Sequence, residues 1–471
     1  MDDDDGSVAS SFRPALRRTA AGVSQQQQQS SGRVLQWRRR VRRRIPLTVR
    51  ALGVVLLALL LWVALLCVLL SGAVVPRRTD GPPVTRAREV SPWARAQLAA
   101  YDPAGPVDAV VLWVNGTDPA HIAAFERAMG RRPDGALARR YRDYGTLRFC
   151  VRSIEAFAPW VRRIVLVTNG QVPAWWDPHN PRGRIVTHAE IFRSALYKQK
   201  LRQQQSENGS GNSTDGSERE KGKEEGEEDM WLRDALPTFN SNAIEAHLGD
   251  IPGLAPHVLY MNDDFLLARA VPRAFFVDAR SGRLRLHVSD LVAPEAAAMR
   301  TNLWHRSVAH ANDLVNAHYH AGAARPHHYA GHYCYFFARA VLERVAALWP
   351  AELDATSRRR VRTANDTALP FLHLNVALEE GLGDPVRGAN RGGYAVWTAA
   401  HARNVHTAQH LFAARPRLRA PYCLCLQDGL DASPFAAREI DYLRRTLCAF
   451  LPKRSSFERT DQPDPCADVP V

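Results

Sequence analysis

A chain of 471 residues with 46% hydrophobic content can fill one large domain or two ordinary ones, which excludes a globally disordered protein. The formal net charge of +14 invites a nucleic-acid partner, but residues 1–50 hold eleven arginines against Asp2, Asp3, Asp4 and Asp5, about half of the excess.

That basic tail is followed by ALGVVLLALLLWVALLCVLLSGAVV over 51–75, an uncharged run long enough to cross a hydrocarbon layer about 30 Å thick at 1.5 Å per helical residue. The apolar core of a cleaved signal peptide is shorter and nearer the N-terminus, so the run is read as a transmembrane helix acting as a signal-anchor. RRRVRRR at Arg38–Arg44, with Arg50, outweighs Arg77 and Arg78 across the span. The positive-inside rule then predicts a single-pass type II membrane protein with a cytosolic 1–50 tail and everything after about Pro76 lumenal, in the Golgi or another secretory-pathway membrane. A lumenal domain rarely meets nucleic acid, so that partner is excluded; a homodimer is left open.

In an oxidising lumen Cys150, Cys334, Cys423, Cys425, Cys448 and Cys466 are an even six that could pair, with a connectivity that spacing does not reveal. Cys423 and Cys425 could also suggest zinc, but no second closely spaced Cys/His pair with zinc-finger spacing follows.

Residues 76–106, rich in Pro, Arg and Ala, read as a stem. Three strand-like runs then end in small polar residues: DAVVLWVNGTD from Asp108, RRIVLVTNGQ from Arg162 and HVLYMNDD from His257. Between the first two, Leu147, Val151, Ile154 and Phe157 recur at helical spacing. Strand, helix, strand predicts a parallel sheet, with ligands in the crevice beyond the carboxyl ends of its strands. The fold class expected is α/β, a Rossmann-like (GT-A-like), mostly parallel sheet with flanking helices and a mainly helical C-terminal half, whose clearest helices are 340–350 and 371–381. The domain spans 107–458, with 459–471 as a tail. A low-complexity stretch, about 197–230, cannot bury apolar surface and is expected to be a disordered insertion; its sequons at Asn208 and Asn212, and another at Asn365, mark a glycoprotein, while Asn115 lies in a cleft motif.

Adjacent carboxylates at a strand end suit Mg²⁺ or Mn²⁺ held against a nucleotide diphosphate, because hard oxygen donors match an ion that keeps some of its waters. An ordinary turn or helix N-cap explains Asn262-Asp263-Asp264 equally well in isolation. His332, within a histidine-dense segment, could take a proton from an acceptor hydroxyl, and Arg362 in SRRRVRTAND could grip a phosphate oxygen. His332 is one of many histidines in its segment, and the alternative for Arg362 is a solvated basic helix face.

Together these segments resemble the Stealth phosphotransferases, a family that includes bacterial capsule hexose-1-phosphate transferases and the catalytic alpha/beta precursor of the lysosomal-enzyme GlcNAc-1-phosphotransferase. The resemblance runs in four blocks from Asp108 to about Glu458: DAVVLWVNGTD; YRDYGTLRFCVRSIEAFAPWVRRIVLVTNGQVPAWW with IVTHAEIF, LPTFNSNAIEAHLGDIPGL and YMNDD; AHANDLVN with GHYCYFFARAVLERVAALWPAELDATSRRRVRTAND; and PYCLCLQDGLD with the closing SSFE.

The resemblance implies transfer of a sugar 1-phosphate, GlcNAc-1-phosphate foremost and mannose-1-phosphate as the other candidate, from a nucleotide sugar donor to a hydroxyl of a glycan or glycoprotein acceptor. A nucleoside monophosphate would be released. It implies that Asp263 and Asp264 handle metal (Mg²⁺ or Mn²⁺) and diphosphate, that His332 acts on the acceptor hydroxyl or the phosphoryl group, and that Arg362 stabilises charge. Asn115, Gly116, Asp118, Arg142, Asp143, Arg148, Asn169, Gln171, Asn240, Ser241 and Glu245 would line the nucleotide-sugar cleft.

The chain departs from the family pattern at Asn242, usually Pro, at Tyr335, often a second histidine, and at Gln427, usually Asn. No EF-hand loop or large recognition module is present, so a glycan or phosphoglycan acceptor in the secretory pathway is expected before a lysosomal hydrolase. An ordinary metal-dependent glycosyltransferase releasing a nucleoside diphosphate, and an inactive glycan-binding membrane protein, are the competing readings.

Overall fold

The computed structural model describes residues 89–133, 142–208, 228, 230–293, 302–387, 392–412, 421–430 and 435–469, with backbone alone for 202–208, 392–394 and 410. The expected cytosolic tail, the 51–75 apolar run, most of the stem and Asn212 lie outside them. Among the described residues no helix is long and apolar enough to cross a membrane.

Five strands build the central sheet in the order β3-β2-β1-β4-β8. They are β1 (Val107–Leu112), β2 (Arg163–Thr168), β3 (Gly183–Thr187), β4 (His257–Asn262) and β8 (Tyr335–Ala338). Every residue of β1 is buried, as expected of a strand covered on both faces. The β1/β2, β2/β3 and β1/β4 pairings are parallel, and β8 closes the edge antiparallel to β4.

Strand order reverses between β1 and β4, where Leu112 pairs with Asn262. Such a switch point opens a crevice beyond the carboxyl ends, and Asp263 follows it by one residue. Helix α3 (Thr146–Phe157) connects β1 to β2, with Leu147, Val151 and Ile154 buried as their spacing predicts. Other helices of the N-terminal part include α1 (Pro92–Ala99), α2 (Pro119–Met129), α4 (His188–Asn208) and the short α5 (Ser241–Glu245).

Among the described residues the second half is mainly helical, as expected, but strands are interleaved with the helices. It holds α6 (Leu303–Tyr319), α7 (Arg339–Leu348), α8 (Pro350–Ser357), α9 (Leu369–Glu379), α10 (His401–Leu411) and α11 (Ala436–Phe450), and also two three-stranded sheets. One has the order β10-β11-β5, from Gly392–Thr398, Cys423–Gly429 and Phe265–Leu267; the other has the order β7-β6-β9, from His327–Ala330, Leu284–Ala293 and Gly383–Val386. The partners of these strands lie far along the chain, so periodicity alone does not reveal the sheets.

Three boundaries differ from expectation. The stem ends early: α1 buries Ala94, and Ser91 N–H donates to the Glu380 carbonyl at 3.0 Å. The insertion begins later than its composition suggests, because α4 continues to Asn208. The C-terminal tail is docked, with Arg152 bonded to both Glu458 and Asp464 and Cys466 joined to Cys448. Cys334 pairs with Cys423 in a second disulfide, while Cys150 and Cys425 are buried free thiols. That pairing removes Cys423 from any zinc site with Cys425.

Candidate active site

The rim of the crevice is built by the turns after β1 and β2. Gln171 ties them together: its Nε2 donates to Asp118 Oδ2 at 2.8 Å and to the Asn115 carbonyl at 3.1 Å, while its Oε1 accepts from Asn115 N–H at 2.7 Å. Asp118 also caps α2 through Ala120 N–H, and Gly116 lies within the turn closed by Asp118 N–H on the Asn115 carbonyl. Asn169 is exposed beside His121, 3.0 Å from its Nδ1. These residues hold one another in place, leaving exposed edges toward the cleft.

The floor is Asp263 and Asp264. Two segments crowd them. Asp143 is fixed by Trp113 Nε1 at 3.1 Å and Gly145 N–H at 2.7 Å. Gly145 has φ of 85°, the left-handed region where a side chain is disfavoured, so this turn depends on glycine. Antiparallel pairing of β5 with β11 then brings Cys425 Sγ to 3.6 Å from Asp264 Oδ2 and Leu426 N–H to the Asp264 carbonyl. Arg142 leans on Asp428 at 3.3 Å and on the Leu430 carbonyl, and Tyr144 donates to the Leu426 carbonyl at 2.9 Å.

Burial raises the Asp263 carboxyl well above the usual range, helped by the charges of Asp264 and Asp143; burial likewise raises Asp264. Two enclosed carboxyls that resist sharing negative charge are a fitting donor set for a hard divalent ion, and Mg²⁺ needs only one or two protein carboxylates when phosphates complete its shell.

The opposite wall carries the imidazole and guanidinium. His332 lies on the turn between β7 and β8, its ring edge-on to Phe265 at 5.3 Å and its Nδ1 3.1 Å from Tyr335 Oη. When Nδ1–H donates to Tyr335, the lone pair sits on Nε2. Burial, then Arg362 and His305, press its pKa down to about 4, so the ring is neutral near pH 7.

Arg362 projects from a loop organised by Asp366, which is buried and accepts from Asn240 Nδ2 (2.8 Å), Thr363 N–H (2.9 Å) and Thr363 Oγ1 (2.7 Å). Its Nη2 donates to Ser241 Oγ. Glu245, pushed up to about 7 by burial and restrained by Arg362, accepts from Tyr260 Oη at 2.9 Å. Tyr260 also bonds Asn262 Oδ1 at 3.0 Å, which joins the Arg362 wall to the β4 end. The Cys334–Cys423 disulfide ties the His332 turn to β11, the strand against Asp264.

Linked contacts therefore connect Asp143, Asp263, Asp264, Ser241, Glu245, His332 and Arg362 at the carboxyl end of the sheet, with Asn115, Gly116, Asp118, Asn169 and Gln171 in the turns after β1 and β2. Two expected cleft residues lie elsewhere. Arg148 pairs with Glu458 at 2.9 Å and bonds the Pro463 carbonyl, so it anchors the C-terminal segment. Asn240 is fully buried and serves the Arg362 loop; Asn242 beside it turns its amide to Asp366 at 3.4 Å. Tyr144, Tyr260 and Asp366 escaped the sequence reading, which also did not assign Asp428 to the site and weighed Cys425 only for a disulfide or zinc. Only Tyr260 had a local signal, since the two-residue period of a strand puts it on one face with Asn262.

Sequence models of three conserved regions match this chain in order: Stealth protein CR1, conserved region 1, at 105–132; CR2, conserved region 2, at 140–206 and 226–284; and CR3, conserved region 3, at 331–375. An exopolysaccharide phosphotransferase of Streptomyces coelicolor is 29% identical over 76% of this chain and 53% of its own length. A second from that organism is 35% identical over 46% of this chain and 35% of its own length. The human N-acetylglucosamine-1-phosphotransferase subunits alpha/beta are 32% identical over 34% of this chain and 10% of their own length. The chain thus spans about half or less of the relatives it matches. The conserved regions carry β1, β4 with its two aspartates, and both His332 and Arg362: the chain belongs to the Stealth family.

Proposed function

We propose that this protein transfers a sugar 1-phosphate, GlcNAc-1-phosphate foremost, from a nucleotide diphosphate sugar to a glycan hydroxyl. One observation carries the reading: a neutral imidazole, a guanidinium and an adjacent carboxylate pair meet at the switch-point crevice. The names of the relatives support phosphotransfer to polysaccharides or of N-acetylglucosamine phosphate.

In this reading Asp263 and Asp264 hold Mg²⁺ or Mn²⁺, which would supply charge neutralisation on the diphosphate oxygens. His332 takes the proton from the acceptor hydroxyl. The acceptor oxygen forms a bond to the phosphorus that bears the sugar, and the bond from that phosphorus to the bridging oxygen breaks. The electron pair leaves with the nucleoside monophosphate, and Arg362 offsets charge on the transferring group. Tyr335 holds the imidazole in orientation.

The test is a donor screen with the full-length chain, a divalent ion and a glycan acceptor. UMP from UDP-GlcNAc, or GMP from GDP-mannose, supports the reading; release of UDP or GDP overturns it in favour of glycosyl transfer. A type II orientation in a secretory-pathway membrane is part of the proposal, supported by the uncharged 51–75 run behind Arg38–Arg44. Protease protection in sealed microsomes checks it.

A further inference from the structure

Away from the crevice, His320, His327 and Glu379 bring their ligand atoms within 4.8 Å of one another. His320 closes α6, His327 opens β7 and Glu379 ends α9, so three elements distant in the chain meet there. The three side chains are only 6%, 7% and 6% exposed.

Both imidazole Nε2 atoms lie 3.2 Å from the same oxygen, Glu379 Oε1. That is long for a charge-assisted hydrogen bond, which runs about 2.7–2.9 Å. It matches the edge of a tetrahedron whose bonds are about 2.0–2.1 Å, the lengths zinc makes to imidazole and carboxylate, which places nitrogen and oxygen about 3.3 Å apart. His327 Nδ1 is 2.8 Å from Asn312 Oδ1, itself 1% exposed. With Nδ1–H donating there, the Nε2 lone pair faces a carboxylate oxygen, a repulsion that a bridging cation relieves. An outer-shell carbonyl on the far nitrogen is also how metal-bound histidines are oriented.

The backbone adds a second sign. Ala321, directly after His320, has φ of 52°, an unusual left-handed conformation for a residue with a side chain. Gly322 N–H then donates to the Asn316 carbonyl and Ala323 N–H to the His320 carbonyl, reversing the chain so that β7 returns beside α6.

We propose that His320, His327 and Glu379 bind one divalent transition-metal ion of the zinc type as a structural staple, separate from the ion of the catalytic crevice. Two imidazoles and one carboxylate favour a borderline metal over Mg²⁺. Burial of all three ligands favours a structural over a catalytic role. The staple would fix β7, the strand that runs through Ala330 and Gly331 into His332.

The proposal stands independently of the transfer reaction. Full-length chain purified without a histidine tag should retain about one zinc per molecule by elemental analysis, and His320→Gln and Glu379→Gln should lose it. Chelation should lower the wild-type Tm, with Zn²⁺ but not Mg²⁺ restoring it. Should both variants fail to fold, Co²⁺ substitution of the wild type decides. Tetrahedral d–d bands without thiolate charge transfer uphold the site; no such bands, or folded variants that keep their zinc, overturn it.

Discussion

At the amino-terminal end of the central sheet, Asp108 is fully buried and fully engaged. Arg162 grips it with two bonds of 2.8 Å, Arg163 Nε adds a third at 3.1 Å, and Ala255 N–H a fourth at 2.9 Å. At the carboxyl end, Asp263 and Asp264 are enclosed beside Asp143, and among the described residues no arginine or lysine is ion-paired with either. A buried carboxylate with its countercharge stabilises the junction of β1, β2 and β4. A pair without one remains available to a cation brought by a substrate, at a cost to the fold.

The sharpest way to break this contrast is exchange of one aspartate at each end. Asp264→Asn should lower kcat at least about 10³-fold while Tm holds or rises, because like-charge crowding is relieved. Asp108→Asn should cost about 2–4 kcal/mol of stability by denaturant unfolding, with little change in kcat for the folded fraction. Equal losses of activity in both would end the distinction.

Next comes the opposite wall. His332→Gln should reduce kcat about 10²–10⁴-fold and Arg362→Lys about 10²-fold, with circular dichroism and Tm near wild type. Arg148→Lys sharpens the boundary of the site: it should lower Tm through the Glu458 anchor and leave KM for the donor unchanged. A raised KM with unchanged Tm would return Arg148 to the cleft.

The smallest expected effects are those of pH. Burial holds His188 and His373 down to about 3 and His257 to about 4. Their folded pKa values lie below the unfolded value of about 6.5, so the folded state takes up fewer protons. Their contribution is intact above pH 6.5 and is lost as pH falls from there toward about 3, so Tm should decline across that window. Glu245, raised to about 7, shifts in the opposite sense. A limb of kcat/KM near pH 7 should vanish in Glu245→Gln.

How much of the site was legible depended on whether its cause was local. The end of β4 could be read because an apolar run stopping at Asn262-Asp263-Asp264 states both a strand and its terminus. Arg362 was marked by its motif, yet nothing nearby announces that Asp366 and Asn240 shape its loop. Arg148 illustrates the converse. It lies in a matching motif in the first turn of α3, but its partner is Glu458, 310 residues onward.

Composition and local order in the sequence determined the strands β1, β2 and β4, the helix between the first two, and the placing of polar clusters at strand ends, because backbone periodicity and burial act over a few residues. Tertiary structure alone decided which of those clusters share a space, that β11 would seat Cys425 against Asp264, and that two histidines and a glutamate would meet behind the His332 turn. Those outcomes follow from packing between segments tens to hundreds of residues apart, where the energy depends on three-dimensional proximity that no spacing along the chain encodes.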